Sequence, residues 1–195
     1  MNTSKSKWDT VNFVNMVLNI FNFLNKDYEY CVTKTETKDI LSVTYKNDLV
    51  FVTLYYEVYG AEIGLKIGQM QKNGISTEYG LEDILEYKGI KNEKVFFQST
   101  NESGVMFSLQ KLADLVKNYA MEFIRGEKSS YENLKKWVFS RSLELTRSQI
   151  IDKKRKEAHQ AWENKDYPKC VGLYSSIVKE LTPVELKRLE IAKNK

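Results

Sequence analysis

The stretch ILSVTYKNDLVFVTLYYEVYGAEIGLKIGQM, residues 40–70, holds three apolar runs separated only by short turn-like segments. In its central run, 49–59, every even position is apolar (Val50, Val52, Leu54, Tyr56, Val58), while the odd positions mix Leu49, Phe51, Thr53, Tyr55, Glu57 and Tyr59. Side chains alternate across a strand, so the even set forms a dry face and the odd set a mixed one. The run before it places Leu41, Val43 and Tyr45 on one side, and Asn47-Asp48 supplies the turn into the centre. Gly60-Ala61 reverses the chain again, after which Ile63, Leu65 and Ile67 oppose Glu62, Gly64, Lys66 and Gly68. The three runs read as an antiparallel β-meander. Two glycines on one face of the last strand predict a bulge or a close backbone approach there.

Working outward, residues 28–35 are rich in β-formers and read as a first strand, with 34–39 as its turn. Ahead of it, Trp8, Val11, Val14, Val17, Leu18, Phe21 and Leu24 recur at helical spacing and predict one amphipathic helix over about 7–25, with Ser6 and Asp9 resembling a capping box. Beyond the meander, 71–78 is polar and reads as a loop, Leu81, Ile84 and Leu85 suggest a short helix ended by Gly89, and 94–98 reads as a further strand. Asn101 or Ser103 then caps a helix with a wide apolar stripe from Val105 to Ile124, closed by Gly126. This is the principal helix expected on the dry face. A further helix opens at Ser129 or Ser130 and runs to about Asn164, through the wholly charged segment 152–157. Thr182-Pro183-Val184-Glu185 places threonine at a cap, proline at the first helical position and glutamate at the third, which predicts a last helix over 183–193. The fold class is α+β: an antiparallel β-meander packed with helices, followed by an α-helical C-terminal extension, with domains at 1–126 and 127–195.

The composition of the 195 residues, 42% apolar and 29% charged, is that of a globular chain. Residues 11–24 are apolar-rich, but Asn12, Asn15, Asn19 and Asn22 interrupt them, which argues against a membrane span, and no small-residue cleavage site follows. Cys31 and Cys170 lie far apart, outside any disulfide or zinc spacing, and suit a reducing cytoplasm. His159 stands alone, so histidine-based metal sites and catalytic triads cannot be assembled. The net charge of +4 is uneven. Residues 126–195 carry 16 Lys+Arg against 10 Asp+Glu, leaving 14 against 16 for residues 1–125.

One segment resembles a known family. In EAHQAWENKDYPKCVGLYSSIVKELTP, residues 157–183, Ala158, Ala161, Tyr167, Cys170, Tyr174 and Ile177 resemble a single tetratricopeptide repeat, with small residues where two helices cross and Tyr174 at the usual large aromatic position. Cys170 stands where alanine is normal, and Ala161 where an aromatic is normal. The resemblance implies a helical packing unit at about 155–183 and a protein-binding surface, not an activity.

No serine elbow, metal-ligand cluster or glycine-rich phosphate loop is present, and the one acid–base candidate is a carboxylate pair, Glu57 and Glu62, across the 59–61 turn. No catalytic residue, metal ligand or cofactor is assigned. The favoured reading is a non-catalytic protein-binding module of inhibitor, immunity or antitoxin type, using Phe51, Tyr55, Glu57 and Tyr59 of the odd sheet face or the helical tail; strand tyrosines give rigid contact area at low entropic cost. The alternatives are a nucleic-acid-associated regulator acting through the basic run Lys153, Lys154, Arg155 and Lys156, and an enzyme of another type. Self-association through the last helices is a third arrangement the tail allows.

Overall fold

The computed structural model describes residues 10–37, 39–70 and 77–195, and the chain divides into two units, Met1–Trp137 and Val138–Lys195. The division falls beyond residue 126 because Tyr131 and Leu134, at the start of the long helix, are buried in the first unit's core.

The meander is the frame of the first unit. Strands β1 (Cys31–Glu36), β2 (Ile40–Lys46), β3 (Val50–Glu57), β4 (Glu62–Gln69) and β5 (Thr77–Gly80) follow one another in an antiparallel sheet. A two-residue strand, β6 (Phe97–Gln98), pairs with β4 at Glu62 and Ile63, while β5 takes the other end of β4. The register sets Tyr45, Val52 and Ile67 side by side, and likewise Val43, Leu54 and Leu65. All six are buried, so a slip by one residue would turn a strand's whole apolar set to water. Val58 does not continue the dry face. It is 43% exposed, and its N–H donates to the Asp39 carbonyl at 2.8 Å as the chain enters the turn, where Ala61 takes a left-handed φ of 51°.

The helices differ from the simplest reading of the periodicity in two places. The first splits into α1 (Thr10–Ile20) and α2 (Asn22–Tyr28) at Phe21, which is fully buried. Glu29 then caps α2 in the left-handed region, so the first strand starts at Cys31 rather than Tyr28. Trp8 and the Ser6–Asp9 cap lie outside the described residues, as does most of the 71–78 loop. The principal helix, α4 (Glu102–Tyr119), is capped by Asn101, whose Oδ1 accepts from the Gly104 N–H at 2.9 Å. It breaks at Ala120, and α5 (Met121–Ile124) turns Phe123 and Ile124 onto β3 and β4. Gly126, at φ 74°, lets the next turn press on β3, since a Cβ there would lie 3.2 Å from Val50 Cγ2. In chain order α3 (Leu81–Tyr87) comes before α4 and packs against β4 and β5; it is preceded by a strand, β5, that the polar composition of 71–78 conceals.

Buried tyrosines tie these layers together, each hydroxyl donating to a main-chain carbonyl. Tyr30 reaches Ile124 at 2.7 Å, Tyr45 reaches Val17 at 3.2 Å, Tyr56 reaches Ser99 at 3.2 Å and Tyr131 reaches Phe123 at 3.0 Å. Burial raises the pKa of all four, that of Tyr45 to about 12. The folded state therefore holds these protons more tightly than the unfolded chain, whose tyrosines ionise near pH 10. Their contribution is complete below about pH 10 and is lost as pH rises toward 12. Equilibrium urea unfolding across pH 8–12 should give a flat midpoint up to about pH 10 and a steep fall above it; a midpoint still flat at pH 11.5 would contradict the role of these hydroxyls.

The second unit is helical. It holds most of α6 (Lys128–Glu163), one unbroken helix through the charged segment 152–157, then α7 (Tyr167–Ser175), a 3-10 turn (Val178–Glu180) and α8 (Pro183–Lys193). Ala158, Ala161, Cys170, Leu189 and Ala192 surround the buried ring of Tyr174. The last helix starts where its cap chemistry places it: Thr182 Oγ1 accepts from the Glu185 N–H at 3.3 Å, and Glu185 Oε2 accepts from the Thr182 N–H at 2.7 Å. Glu185 also faces Arg155, whose buried Nε lies 3.3 Å from Oε1, off the hydrogen-bond line but within ion-pair reach.

Candidate functional site

The odd positions of β3 project to the sheet face opposite the core, and the register explains how they are accommodated. Phe51 stands directly opposite Gly68, and Tyr55 opposite Gly64. Each aromatic ring lies flat across its glycine: a Cβ on Gly68 would be 2.2 Å from Phe51 Cζ, and one on Gly64 would be 2.2 Å from the Tyr55 hydroxyl. The glycines therefore mark no bulge but two seats for aromatic rings from the neighbouring strand, and at Gly68 the Thr77 main-chain oxygen of β5 also approaches closely, 2.7 Å from where a Cβ would stand. Phe51 is buried as a result, at 9% exposure, and offers little to a partner. Around the seats, Thr33, Lys46 and Glu57 are exposed, and Ser42, Thr44, Thr53 and Lys66 are half-buried. Thr44 and Thr53 share a hydrogen bond of 3.0 Å, and Lys66 pairs with Glu78 at 2.8 Å. This face keeps its access to water.

At one end of the face the predicted carboxylates meet. Glu57 and Glu62 are cross-strand partners, and the Tyr55 hydroxyl, half-buried beside them, donates to Glu62 Oε1 at 3.5 Å. Burial first, then the nearby carboxylates of Glu62, Glu82 and Glu57, push the Tyr55 phenol up to about 12. The proton stays on the tyrosine, so this trio offers a neutral phenol and negative carboxylates on an exposed hairpin. Glu57 is open to water, and Glu62 and Tyr55 are half-buried. The end also provides apolar surface: Tyr59 is 73% exposed, Val58 43% and Ile40 44%. Their main chains lie close together, since Ile40 pairs with Glu57 and the Val58 N–H bonds to the Asp39 carbonyl. Ile40 was hidden from sequence reading because it falls on the polar face of β2.

The other candidate group, Lys153–Lys156, does not form one surface. Successive helical residues are about 100° apart, so four in a row fan around α6. Lys153 and Lys156 are exposed, while Arg155 turns inward, pairs with Glu185 and donates through Nη2 to the Glu180 carbonyl. One of the four charges is thus spent on the fold. Among the described residues, no three His, Cys, Asp or Glu side chains gather in a metal-binding arrangement, and no helix is long and apolar enough to cross a membrane.

The two cysteines report independently on this geometry. Cys31 is exposed at the sheet edge, whereas Cys170 is fully buried and burial raises its thiol pKa. Treatment of the native protein with a thiol reagent such as DTNB near pH 8 should label Cys31 within minutes and Cys170 at least a hundredfold more slowly, because the thiolate is the reactive form and must reach the reagent. Equal rates would mean that the α7–α8 core opens readily. Comparison of the chain with protein-family models, curated proteins and solved structures finds no significant match to any of them.

Proposed function

We propose that this chain is a non-catalytic protein-binding module, of the inhibitor, immunity or antitoxin kind, that engages its partner through the β3–β4 end of the sheet. The observation that carries the reading is the exposed apolar group Ile40, Val58 and Tyr59 set beside the carboxylates of Glu57 and Asp39. Water-exposed apolar side chains grouped next to charge, on a rigid hairpin, are the composition of a contact surface with a central anchor and a polar rim. Tyr59 is the anchor, and the acidic rim selects a partner with basic groups around an apolar patch. The tetratricopeptide-like reading of residues 155–183 belongs to the same proposal, supported by the packing of Ala158 and Ala161 against Cys170 and Tyr174. So does a cytoplasmic setting, which two unpaired cysteines suit.

Affinity capture from the native host tests this reading. The wild-type chain should retain a discrete protein that Tyr59→Ala/Glu57→Lys loses and that Lys153→Glu/Lys156→Glu retains. Retention by the hairpin variant, or loss only in the helical variant, would remove the sheet end as the contact surface.

A further inference from the structure

The second unit carries a groove that the reading above does not use. Its lining from α6 is Leu143, Thr146, Arg147, Ile150, Ile151 and Lys154, a set that advances by three and four residues and so forms a straight channel along the helix. Ile177 and Glu180 close the other side, and the groove encloses about 340 Å³. Leu143 is 54% exposed and Ile150 50%, with Val178 beside Ile177 at 48%. Apolar side chains this exposed, at regular spacing on an otherwise charged helix, form a stripe without an intramolecular partner.

The charge around the groove says what fits it. Lys154 and Arg147 stand on its rim, with the exposed Lys153 and Lys179, and the exposed Glu144 and Asp152, next to its residues in sequence. Its one lining carboxylate, Glu180, pairs with Arg147, which leaves Lys154 as the lining cation for a partner's charge. The second unit as a whole carries 13 Lys+Arg against 8 Asp+Glu, a net +5 over residues 138–195. We propose that this groove binds an acidic amphipathic helix of a partner protein, apolar side chains on the Leu143–Ile150 stripe and carboxylates against Lys154. The lining from residue 143 to 154 spans about 16 Å at 1.5 Å per residue, which matches a helix of three turns with anchors at i, i+4 and i+7. A second copy of this chain fits less well. An antiparallel pairing that sets Leu143 against Ile150 of the copy brings the two Arg147 side chains together, and a parallel one stacks each cation on itself. A nucleic acid would find isoleucine and leucine where it needs aromatic platforms.

The test uses the full chain and a fluorescein-labelled helical peptide of about sixteen residues, with leucines at i, i+4, i+7 and i+11 flanked by glutamates, beside a twin in which lysines replace the glutamates. Fluorescence anisotropy should show the acidic peptide binding at least tenfold more tightly than its basic twin. Leu143→Ser/Ile150→Ser should weaken it tenfold or more, and Lys154→Glu should narrow or reverse the preference; Leu143 and Ile150 are exposed and Lys154 half-buried, and unchanged circular dichroism confirms the fold. Equal binding of the two peptides, binding indifferent to these substitutions, or none at 100 μM would overturn the proposal. Dimerisation in sedimentation runs that Leu143→Ser/Ile150→Ser abolishes would assign the groove to a second copy instead. Displacement of the peptide by a mixed single-stranded oligonucleotide, with oligonucleotide binding lost in Lys154→Glu, would assign it to nucleic acid. The hairpin reading stands or falls separately, because none of these substitutions touches it.

Discussion

Gly68→Ala is expected to destabilise the sheet-bearing unit by about 2–3 kcal/mol, near the upper end of what overpacking costs. The new methyl would sit 2.4 Å from Phe51 Cε1 and 2.7 Å from the Thr77 main-chain oxygen. The ring could swing away, but the carbonyl belongs to a paired strand and cannot, so β5 must shift from β4. Gly64→Ala should cost less, about 1 kcal/mol, because every close contact there is the far end of Tyr55, which is only half-buried and free to lift. The ring is worth having for its own sake: Phe51→Ala should lose about 3 kcal/mol of burial and packing. A double-mutant cycle separates the parts. If Phe51 rests on Gly68 as described, Phe51→Ala/Gly68→Ala should be less destabilised than the sum of the singles by about 1 kcal/mol or more, measured by urea unfolding. Strict additivity would mean that the ring and the glycine do not share one space.

Tyr174→Ala should have the largest effect in the second unit, about 3–5 kcal/mol, as for other buried aromatics truncated in a close-packed core. The buried neighbours of this ring are Ala158, Ala161, Cys170, Ala192 and Leu189, four of them too short to close over the space it leaves, while Trp162, Tyr167, Val171, Leu173 and Leu181 pack around this cluster only half-buried. The loss should also be local. The two units have separate cores, so helix α7 and α8 should melt first while the tyrosine-tied sheet holds. Thermal unfolding followed by Trp162 fluorescence should shift to lower temperature ahead of the near-ultraviolet signal of the buried sheet tyrosines. Transitions that stay coincident and move together would show that the two units unfold as one, against the separate cores described.

The meander was readable because two signals agreed: period-two alternation over 40–69 and turn residues at 47–48 and 60–61. The alternation assigned faces but not register, which a two-residue shift would leave equally buried; the short turns at 47–48 and 60–61 set the pairing of Val43, Leu54 and Leu65. The last helix was readable to the residue because Thr182, Pro183 and Glu185 each act locally on main-chain groups. The breaks at Phe21 and Ala120 were not, as both lie inside uninterrupted helical periodicity and are set by where the buried faces must go. Glycines 64 and 68 read as a bulge or a close backbone approach, and the approach is there at Gly68, from the Thr77 main-chain oxygen, with an aromatic ring of β3 over each glycine besides. Their purpose depends on which residues of β3 stand opposite, a fact of pairing rather than of local sequence. In the same way Phe51, expected at an interface, proves to be filling the space its partner glycine leaves. Arg155, one of four similar cations, is the one turned inward because Glu185 and the Glu180 carbonyl are on its side of α6. The α6 groove was missed for a different reason. Leu143 and Ile150 look like core residues at helical spacing, and only exposure shows that nothing in the second unit covers them.

A photo-crosslinking residue placed at position 59 probes the sheet end formed by Ile40, Val58 and Tyr59. In the native host, irradiation should yield one dominant adduct with a distinct protein, lost when Glu57→Lys is added and absent when the crosslinker stands at Asn92, another exposed position. No adduct at position 59, or the same smear of products at both positions, would contradict a partner at the hairpin.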